Sequence, residues 1–392
     1  MNSSLAIRFG TLHDQLGEAK RNGVLIIEGE RVARVGGPET QFPANTSVID
    51  AVCVVPGLIN AHAHLEASGE AQTANFFKLT TPTQRALLAA RNAREALHAG
   101  VTSLRDLGST ESIAIDVRDA IAAGTIAGPN VVAAGRAIRM TGGHGRFIGR
   151  EADGECDVRK AVREQLRAGA DCIKFIATGG VLTQGAVPGG PGLDEAELRA
   201  GISEAHAHGM RCAAHAIGAA GIARALSAGV DSVEHAHLVD DQGIQLFLER
   251  GARLVPTLAA IRCIVSGGTE AGMPDFVVRK AREIDEHAER NLRRALAAGV
   301  RFAGGSDAGT PFNGHEAYAY ELELMQSMLG MSPHDVLHAT TVQSAAVLGI
   351  ARGTLGAGDV ADLVVLAHEI DSDARPYREP VLVIKSGAIV AP

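Results

Sequence analysis

The stretch VVPGLINAHAHLE, Val54 to Glu66, runs almost wholly apolar and then places His62 and His64 two positions apart. On a β-strand, a period of two points both imidazoles to one face. Two histidines on one face make a ligand pair, but chance also supplies such pairs. Their meaning depends on what the rest of the chain brings to the same place.

From about residue 57 the chain alternates short Val- and Ile-rich runs with longer segments of Ala, Leu, Arg and Glu at helical spacing. Eight runs read as strands: LINAHAHL, VTSLRDLG, NVVAAGRAI, CIKFIATGG, RCAAHAIG, SVEHAH, RLVPTLA and RFAGGSDAG. Between them lie helical stretches such as TQRALLAARNAREALHAG and VRKAVREQLRAGA. Glycine announces six of the strands (Gly100, Gly169, Gly209, Gly229, Gly251 and Gly299), where it suits the left-handed position that closes a helix. Apolar strands separated by helices form a parallel sheet. The pattern predicts an α/β fold, a closed TIM-like (β/α)8 barrel over residues 57–351 with its active site at the C-terminal strand ends. An open doubly wound sheet would carry a glycine-rich nucleotide turn after its first strand, and that place holds Asn60-Ala-His-Ala-His64.

The ends of the chain, residues 1–56 and 352–392, read differently. VLIIEGERVARVG suggests two strands around a Glu28-Gly29-Glu30 turn, and SVIDAVCVV a third. DLVVLAHEI and PVLVIKSGAIV add more, with a turn at Ser386-Gly387. Neither end has enough strands for a core alone. Together they are expected to form one small composite β-sandwich, joined because the barrel's termini lie close in space.

Apolar residues at 46% and charged residues at 21% describe an ordinary globular chain. A net charge of −8, no Trp and three Tyr leave nucleic acid an unsuitable partner, for want of both positive charge and stacking platforms. No apolar run reaches the roughly 18 residues of a membrane span. The start, MNSSLAIRFGTLHDQ, lacks a basic region followed by an apolar core, so a cytoplasmic location is the default expectation. The partner expected is a small-molecule substrate, acted on by a homo-oligomer. Five scattered cysteines with no C-x-x-C pair read as small buried hydrophobes rather than as a disulfide framework or a catalytic thiol.

Polar residues gather at the predicted strand ends. Strand one supplies His62 and His64, strand four Lys174, strand five His215, strand six His235 flanked by Glu234 and His237, and strand eight Asp307. Each has a plain structural reading, such as a satisfied core histidine or a turn aspartate. Their convergence on one barrel mouth predicts a metal site instead. Nitrogen and carboxylate ligands without thiolates favour Zn²⁺, with Mn²⁺, Co²⁺ or Fe²⁺ as alternatives. A paired site needs a bridge, and a plain lysine ammonium only donates hydrogen bonds. Carboxylated by CO2, Lys174 becomes a carbamate with two ligating oxygens.

On P-G-L-I-N-A-H-A-H, I-K-F-I-A-T-G-G, A-A-H-A, V-E-H, G-S-D-A-G-T-P and the closing G-T-L-G-A-G-D-V-A-D-L-V-V-L, the chain resembles the amidohydrolase superfamily. Within it, the likeness is to binuclear metal-dependent hydrolases akin to prolidase-like carboxypeptidases and imidazolonepropionase-related enzymes. The resemblance implies His62, His64 and Asp307 on one metal, His215 and His235 on a second, and carbamylated Lys174 between them. It further implies hydrolysis of a C–N amide-type bond by a metal-bridging hydroxide, with Asp307 as general base and then acid.

Two glycine-rich segments flank this site. His144, in MTGGHG, is a candidate second electrophile or substrate contact. The stretch from Ala177 to Gly192 lacks the Lys-Ser/Thr of a phosphate loop and is expected to be a lid, with Gly267 to Pro274 as a second. Prolidase-like relatives often carry tyrosine two residues after the strand-five histidine, where this chain has Ile217. An arginine would then have to take a substrate carboxylate: Arg105 is the best placed, with Arg139, Arg146 and Arg262 as alternatives. His237 is a further candidate contact. The leading expectation is an N-acyl amino acid or dipeptide substrate. The alternative is a neutral or cyclic amide, carbamate or ester, xenobiotics included, taken without carboxylate recognition. A deaminase is disfavoured by Lys174, and a chemically inert scaffold by the intact ligand set.

Overall fold

A computed structural model describes residues 4–390 of the chain. Residues 1–3 and 391–392, the outermost parts of the predicted terminal unit, lie outside the described residues. The chain opens with β1 (Ser4–Leu12), β2 (Lys20–Glu28), β3 (Arg31–Gly36) and β4 (Ser47–Pro56). The next strands, separated by helices or loops, are β5 (Leu58–Ala63), β6 (Val101–Asp106), β7 (Asn130–Ala133), β8 (Ala137–Arg139) and β9 (Gly149–Glu151). They continue with β10 (Cys172–Ile176), β11 (Arg211–Gly218), β12 (Ser232–Leu238) and β13 (Arg253–Val255). The chain closes with β14 (Leu363–Leu366), β15 (Leu382–Lys385) and β16 (Ala388–Val390).

The two ends do come together, but as one sheet rather than as two stacked ones. Its seven strands run in the order β16-β15-β14-β4-β1-β2-β3, parallel only where β1 meets β4. The sheet curls until its far side returns to its near side. Arg31 bridges Val360, and Val32 N donates to Asp359 O at 2.9 Å. Curling encloses Ile7, Leu25, Val54 and Leu363 in one core, which a flat sheet would leave to solvent.

The middle of the chain forms parallel sheets of six strands (β13-β12-β11-β10-β8-β9) and three (β5-β6-β7). All six glycines expected at helix exits have positive φ, from 67 to 97°. Three predicted strands are corrected. NVVAAGRAI breaks at Gly135 (φ +65°) into β7 and β8, which belong to different sheets. RLVPTLA ends at Val255, because helix Leu258–Gly267 begins directly afterwards. RFAGGSDAG makes only isolated bridges, Leu254 to Phe302 and Ala63 to Ala308.

That last segment nevertheless bonds on both sides. Ala303 N donates to Leu254 O at 2.9 Å, Ala61 N to Gly304 O at 2.9 Å, and His64 N to Ala308 O at 2.8 Å. Gly305 makes the approach to β5 sterically feasible: a Cβ there would lie 2.9 Å from His62 N and 2.5 Å from Val255 Cγ1. Across the other seam, Asp171 N donates to Ala133 O at 2.8 Å.

Candidate active site

β5 is buried along its length, so neither face of Leu58–Ala63 meets bulk water. His62 and His64 at its end therefore need polar partners, and they have them. His62 Nδ1 donates to Glu234 Oε2 at 2.9 Å, and His64 Nδ1 to the Gly108 carbonyl at 2.9 Å. With Nδ1 so engaged, Nε2 is the nitrogen left over on both rings. Each Nε2 lies 3.3 Å from Asp307 Oδ1. That oxygen is buried and has no conventional hydrogen-bond partner.

The neighbouring strands complete the cluster. Lys174 on β10 reaches within 3.4 Å of His62 Nε2. His215 on β11 is held through Nε2 by the Gly179 carbonyl at 3.4 Å, which leaves Nδ1 free. His235 on β12 is held through Nδ1 by Thr257 Oγ1 at 2.7 Å. The His215 and His235 rings are 4.6 Å apart, and His62 and His235 5.3 Å. Ligand atoms of His62, His235 and Asp307 lie within 4.8 Å of one another. Residues with other than glycine at positive φ are few, and His235 (73°), Ala236 (50°), Thr257 (48°) and Asp307 (57°) are among them. Strain of this kind concentrates where function demands a geometry the chain would otherwise avoid.

Burial alone would lower His64, but Asp307 outweighs it and raises that imidazole, whereas burial dominates at the other histidines. Burial pushes His62 down to about 4, and His215 and His235 well below the usual histidine range, so their lone pairs are available. Burial alone would raise Asp307, but His62 and His64 outweigh it and hold the carboxylate well below its usual range. Burial pushes Lys174 down to about 8, towards the neutral amine that adds to CO2. A buried carboxylate oxygen facing imidazoles whose other ring nitrogens are held by hydrogen bonds is a donor set that fits a divalent metal.

A pocket opens over the cluster. Its walls include Phe77, Phe147, Ile176, Val181, Ile217 and Ile261. Phe77 and Phe147 stack at 5.5 Å, nearly parallel, and the Arg146 guanidinium lies 4.9 Å from the Phe147 ring centre.

A model of the amidohydrolase family matches residues 53–390. The chain belongs to the amidohydrolase family. Ochratoxinase from Aspergillus niger is 30% identical over 401 residues, covering 93% of this chain and 81% of that protein. The crystal structure of a Xaa-Pro dipeptidase with bound methionine superimposes with a TM-score of 0.91 at 30% identity, covering 99% of this chain and 100% of the other. That of A. niger ochratoxinase gives 0.89 at 28% identity, covering 99% and 95%. The resemblance drawn from the motifs is thus correct, and these relatives are hydrolases.

In this amidohydrolase, His62, His64, Lys174, His215, His235 and Asp307 all line one pocket, as do His144, His237 and Ile217. His144 is oriented by Thr183, Nδ1 to Oγ1 at 2.9 Å, and its ring lies 4.6 Å from that of His215. Arg105 is elsewhere. It is buried beneath the cluster, with Nη2 on Glu234 Oε1 at 2.9 Å and Nε on the Ala61 carbonyl at 2.8 Å. Its carboxylate partner is not the adjacent Asp106, which instead accepts from Leu65 N and Gly108 N. Arg139 binds Glu151 at 2.9 Å and Arg262 binds Asp285 at 2.9 Å. Among the four arginines considered, Arg146 is the one that reaches the pocket.

Of the two expected lids, residues 181–183 line the pocket and residues 267–274 do not. Sequence reasoning missed the groups that orient the pocket's polar side chains: Glu234 as a carboxylate on His62, Thr257 on His235, Thr183 on His144, and Glu321. The Glu321 carboxylate accepts from Leu258 N at 3.0 Å and Ala259 N at 2.7 Å, anchoring the helix that follows Thr257. The charge of Glu234 within the predicted buried strand SVEHAH was the one visible signal. No helix among the described residues is long and apolar enough to cross a membrane.

Proposed function

We propose that the chain hydrolyses a C–N amide-type bond of a small molecule, with N-acyl amino acids or dipeptides as the substrate class. The observation that carries this reading is the convergence of His62 Nε2 and His64 Nε2 on one Asp307 oxygen, each at 3.3 Å, beneath an apolar pocket. The reading includes a closed (β/α)8 barrel, supported by the backbone bonds that segment 301–308 makes to both β5 and β13.

His62, His64 and Asp307 would hold one divalent ion and His215 and His235 a second, with Lys174 as the bridge. Lys174 would act as a carbamate: its amine nitrogen bonds the carbon of CO2 and loses one proton to solvent. The zinc-class ions would supply a water-derived nucleophile at neutral pH and polarise the scissile carbonyl. Asp307 takes the proton of the attacking water and delivers it to the leaving nitrogen. With the Thr183 hydroxyl donating to His144 Nδ1, the His144 Nε2–H is free to donate to the carbonyl oxygen as it gains charge. Burial keeps that imidazole neutral, down to about 4, so it donates without carrying charge in the resting site.

Arg146 is the pocket-lining cation outside the metal cluster, and it would take the substrate carboxylate. The bound methionine of the related Xaa-Pro dipeptidase, an amino acid with a free carboxylate, supports this choice. The second reading is a neutral amide, carbamate or ester, favoured by the burial of Ile217 among apolar walls. The test is a paired hydrolysis assay with zinc and bicarbonate, offering each amide with its free carboxylate and with that group removed. Cleavage of the carboxylates alone supports the first reading. Equal or preferred cleavage of the neutral partners supports the second, and cleavage of neither overturns both.

A further inference from the structure

We propose that His13, Cys53 and Glu369 form a further metal site, taking one zinc-class ion and tying both ends of the chain to the centre of the terminal sheet. None of the three lines the pocket described above.

The sheet order brings them together. β4 is flanked by β1 on one side and β14 on the other, with Leu12 opposite Val54 and Leu366 opposite Cys53. His13, just past β1, and Glu369, just past β14, therefore arrive beside Cys53 from opposite sides. One ligand atom from each lies within 4.8 Å of the other two. An imidazole, a thiol and a carboxylate are thus gathered from three remote parts of the sequence.

Their hydrogen bonding is incomplete in a way that points to a ligand. His13 is 8% exposed and Cys53 0%. His13 Nε2 is buried with no partner, and so is Glu369 Oε2, while the other Glu369 oxygen accepts from Thr11 Oγ1 at 2.5 Å and pairs with Arg21 at 3.5 Å. The Tyr377 hydroxyl is also buried without a partner. A buried polar atom left unsatisfied is costly, so such a group of orphans calls for an explanation. Another trio, His206, Cys212 and Asp231, makes the contrast. There Asp231 Oδ2 binds His206 Nε2 at 2.9 Å and Cys212 N at 2.7 Å, and no side-chain atom of the trio is both buried and unpartnered.

Nitrogen, thiolate and carboxylate donors together suit Zn²⁺, and Glu369 is exposed enough to admit a water as the fourth ligand. Such an ion would bind β1, β4 and the segment after β14 into one unit.

The thiolate makes the site separable by experiment from the barrel mouth, whose candidate ligands include no sulfur. Metal-free protein would be loaded with Co²⁺ and its near-ultraviolet spectrum recorded, with metal content measured on the zinc-loaded protein. The expected result is a thiolate-to-cobalt charge-transfer band that disappears in Cys53→Ser, together with one fewer zinc per chain and hydrolysis retained. His13→Asn, with Cys53 untouched, should also lose the ion, which covers the case in which Cys53→Ser folds poorly. Absence of the band in the parent protein, its survival in Cys53→Ser, or equal zinc content in parent and variants would overturn the proposal.

Discussion

Glu234 accepts a hydrogen bond from His62 Nδ1 at 2.9 Å and so decides which nitrogen of His62 faces Asp307. Its other oxygen receives Arg105 at 2.9 Å. Burial by itself would raise the Glu234 carboxyl, but Arg105 and His62 outweigh it and hold it at about 2. The carboxylate therefore stays ionised at neutral pH and fixes the His62 tautomer.

Replacing Glu234 with Gln removes that charge. Metal affinity should fall about 10–100-fold, read by competition with a chromophoric chelator. Arg105→Leu should destabilise the fold by about 3–5 kcal/mol in urea unfolding, because Glu234 is left as an uncompensated buried charge. A raised KM with unchanged stability would instead return Arg105 to the role of substrate contact.

Lys174→Ala should lose bound metal and activity together. The parent protein incubated with ¹³C-bicarbonate should show a carbamate carbon signal that the variant lacks. Full activity in the variant would sink the carbamate bridge.

His144→Asn should lower kcat about 100- to 1,000-fold with little change in KM, since its donor acts where charge develops. Thr183→Val should move kcat in the same direction by about tenfold, through loss of one orienting hydrogen bond. Equal losses of folding stability in both variants would point to a structural role.

Arg146→Ala should raise KM for carboxylate-bearing amides by about 10–100-fold, as expected for a lost charged hydrogen bond, and leave the matching neutral amides unaffected. A uniform rise across both sets would place Arg146 in the general architecture of the pocket mouth.

Glu321 gives a pH prediction. Burial pushes its carboxyl from 4.5 up to about 8, so the folded chain holds a proton that the unfolded chain releases. The stabilisation is full below the ordinary carboxylate range and is lost as pH rises through about 8, each tenfold difference in proton affinity being worth about 1.4 kcal/mol. Glu321→Gln cannot ionise and escapes that loss. The stability of the variant relative to the parent should therefore increase between about pH 5 and about pH 9 in denaturant titrations. A difference independent of pH would contradict the assignment.

Much of the architecture was legible because it is periodic. Alternation of apolar runs with helical segments predicted the βα order, and the six exit glycines have the backbone conformation expected of them. Where the prediction failed, a non-local contact had intervened. RFAGGSDAG has the position of an eighth strand, but its Gly305 lets it lie against β5 and β13 with bridges instead of a full ladder. The terminal strands read correctly one by one. That β1 would sit parallel to β4 and make a single curled sheet was not readable, since strand neighbours far apart in sequence leave no local signature.

The chemistry divides in the same way. The sequence by itself determined the candidate ligands and their family, because His62, His64, Lys174, His215, His235 and Asp307 stand in motifs at strand ends and a strand end has a known place in a βα repeat. Only the tertiary structure decided who aims them. Glu234, Thr257, Thr183 and Arg105 act through hydrogen bonds of 2.7–2.9 Å between elements that no spacing rule connects. It also decided which arginine faces the pocket. Arg105 and Arg146 carry the same charge, but the short, fully buried β6 turns one toward Glu234, while the loop after β8 leaves the other at the rim beside Phe147. Chain order gives a residue its element, whereas burial and partner geometry give it its task.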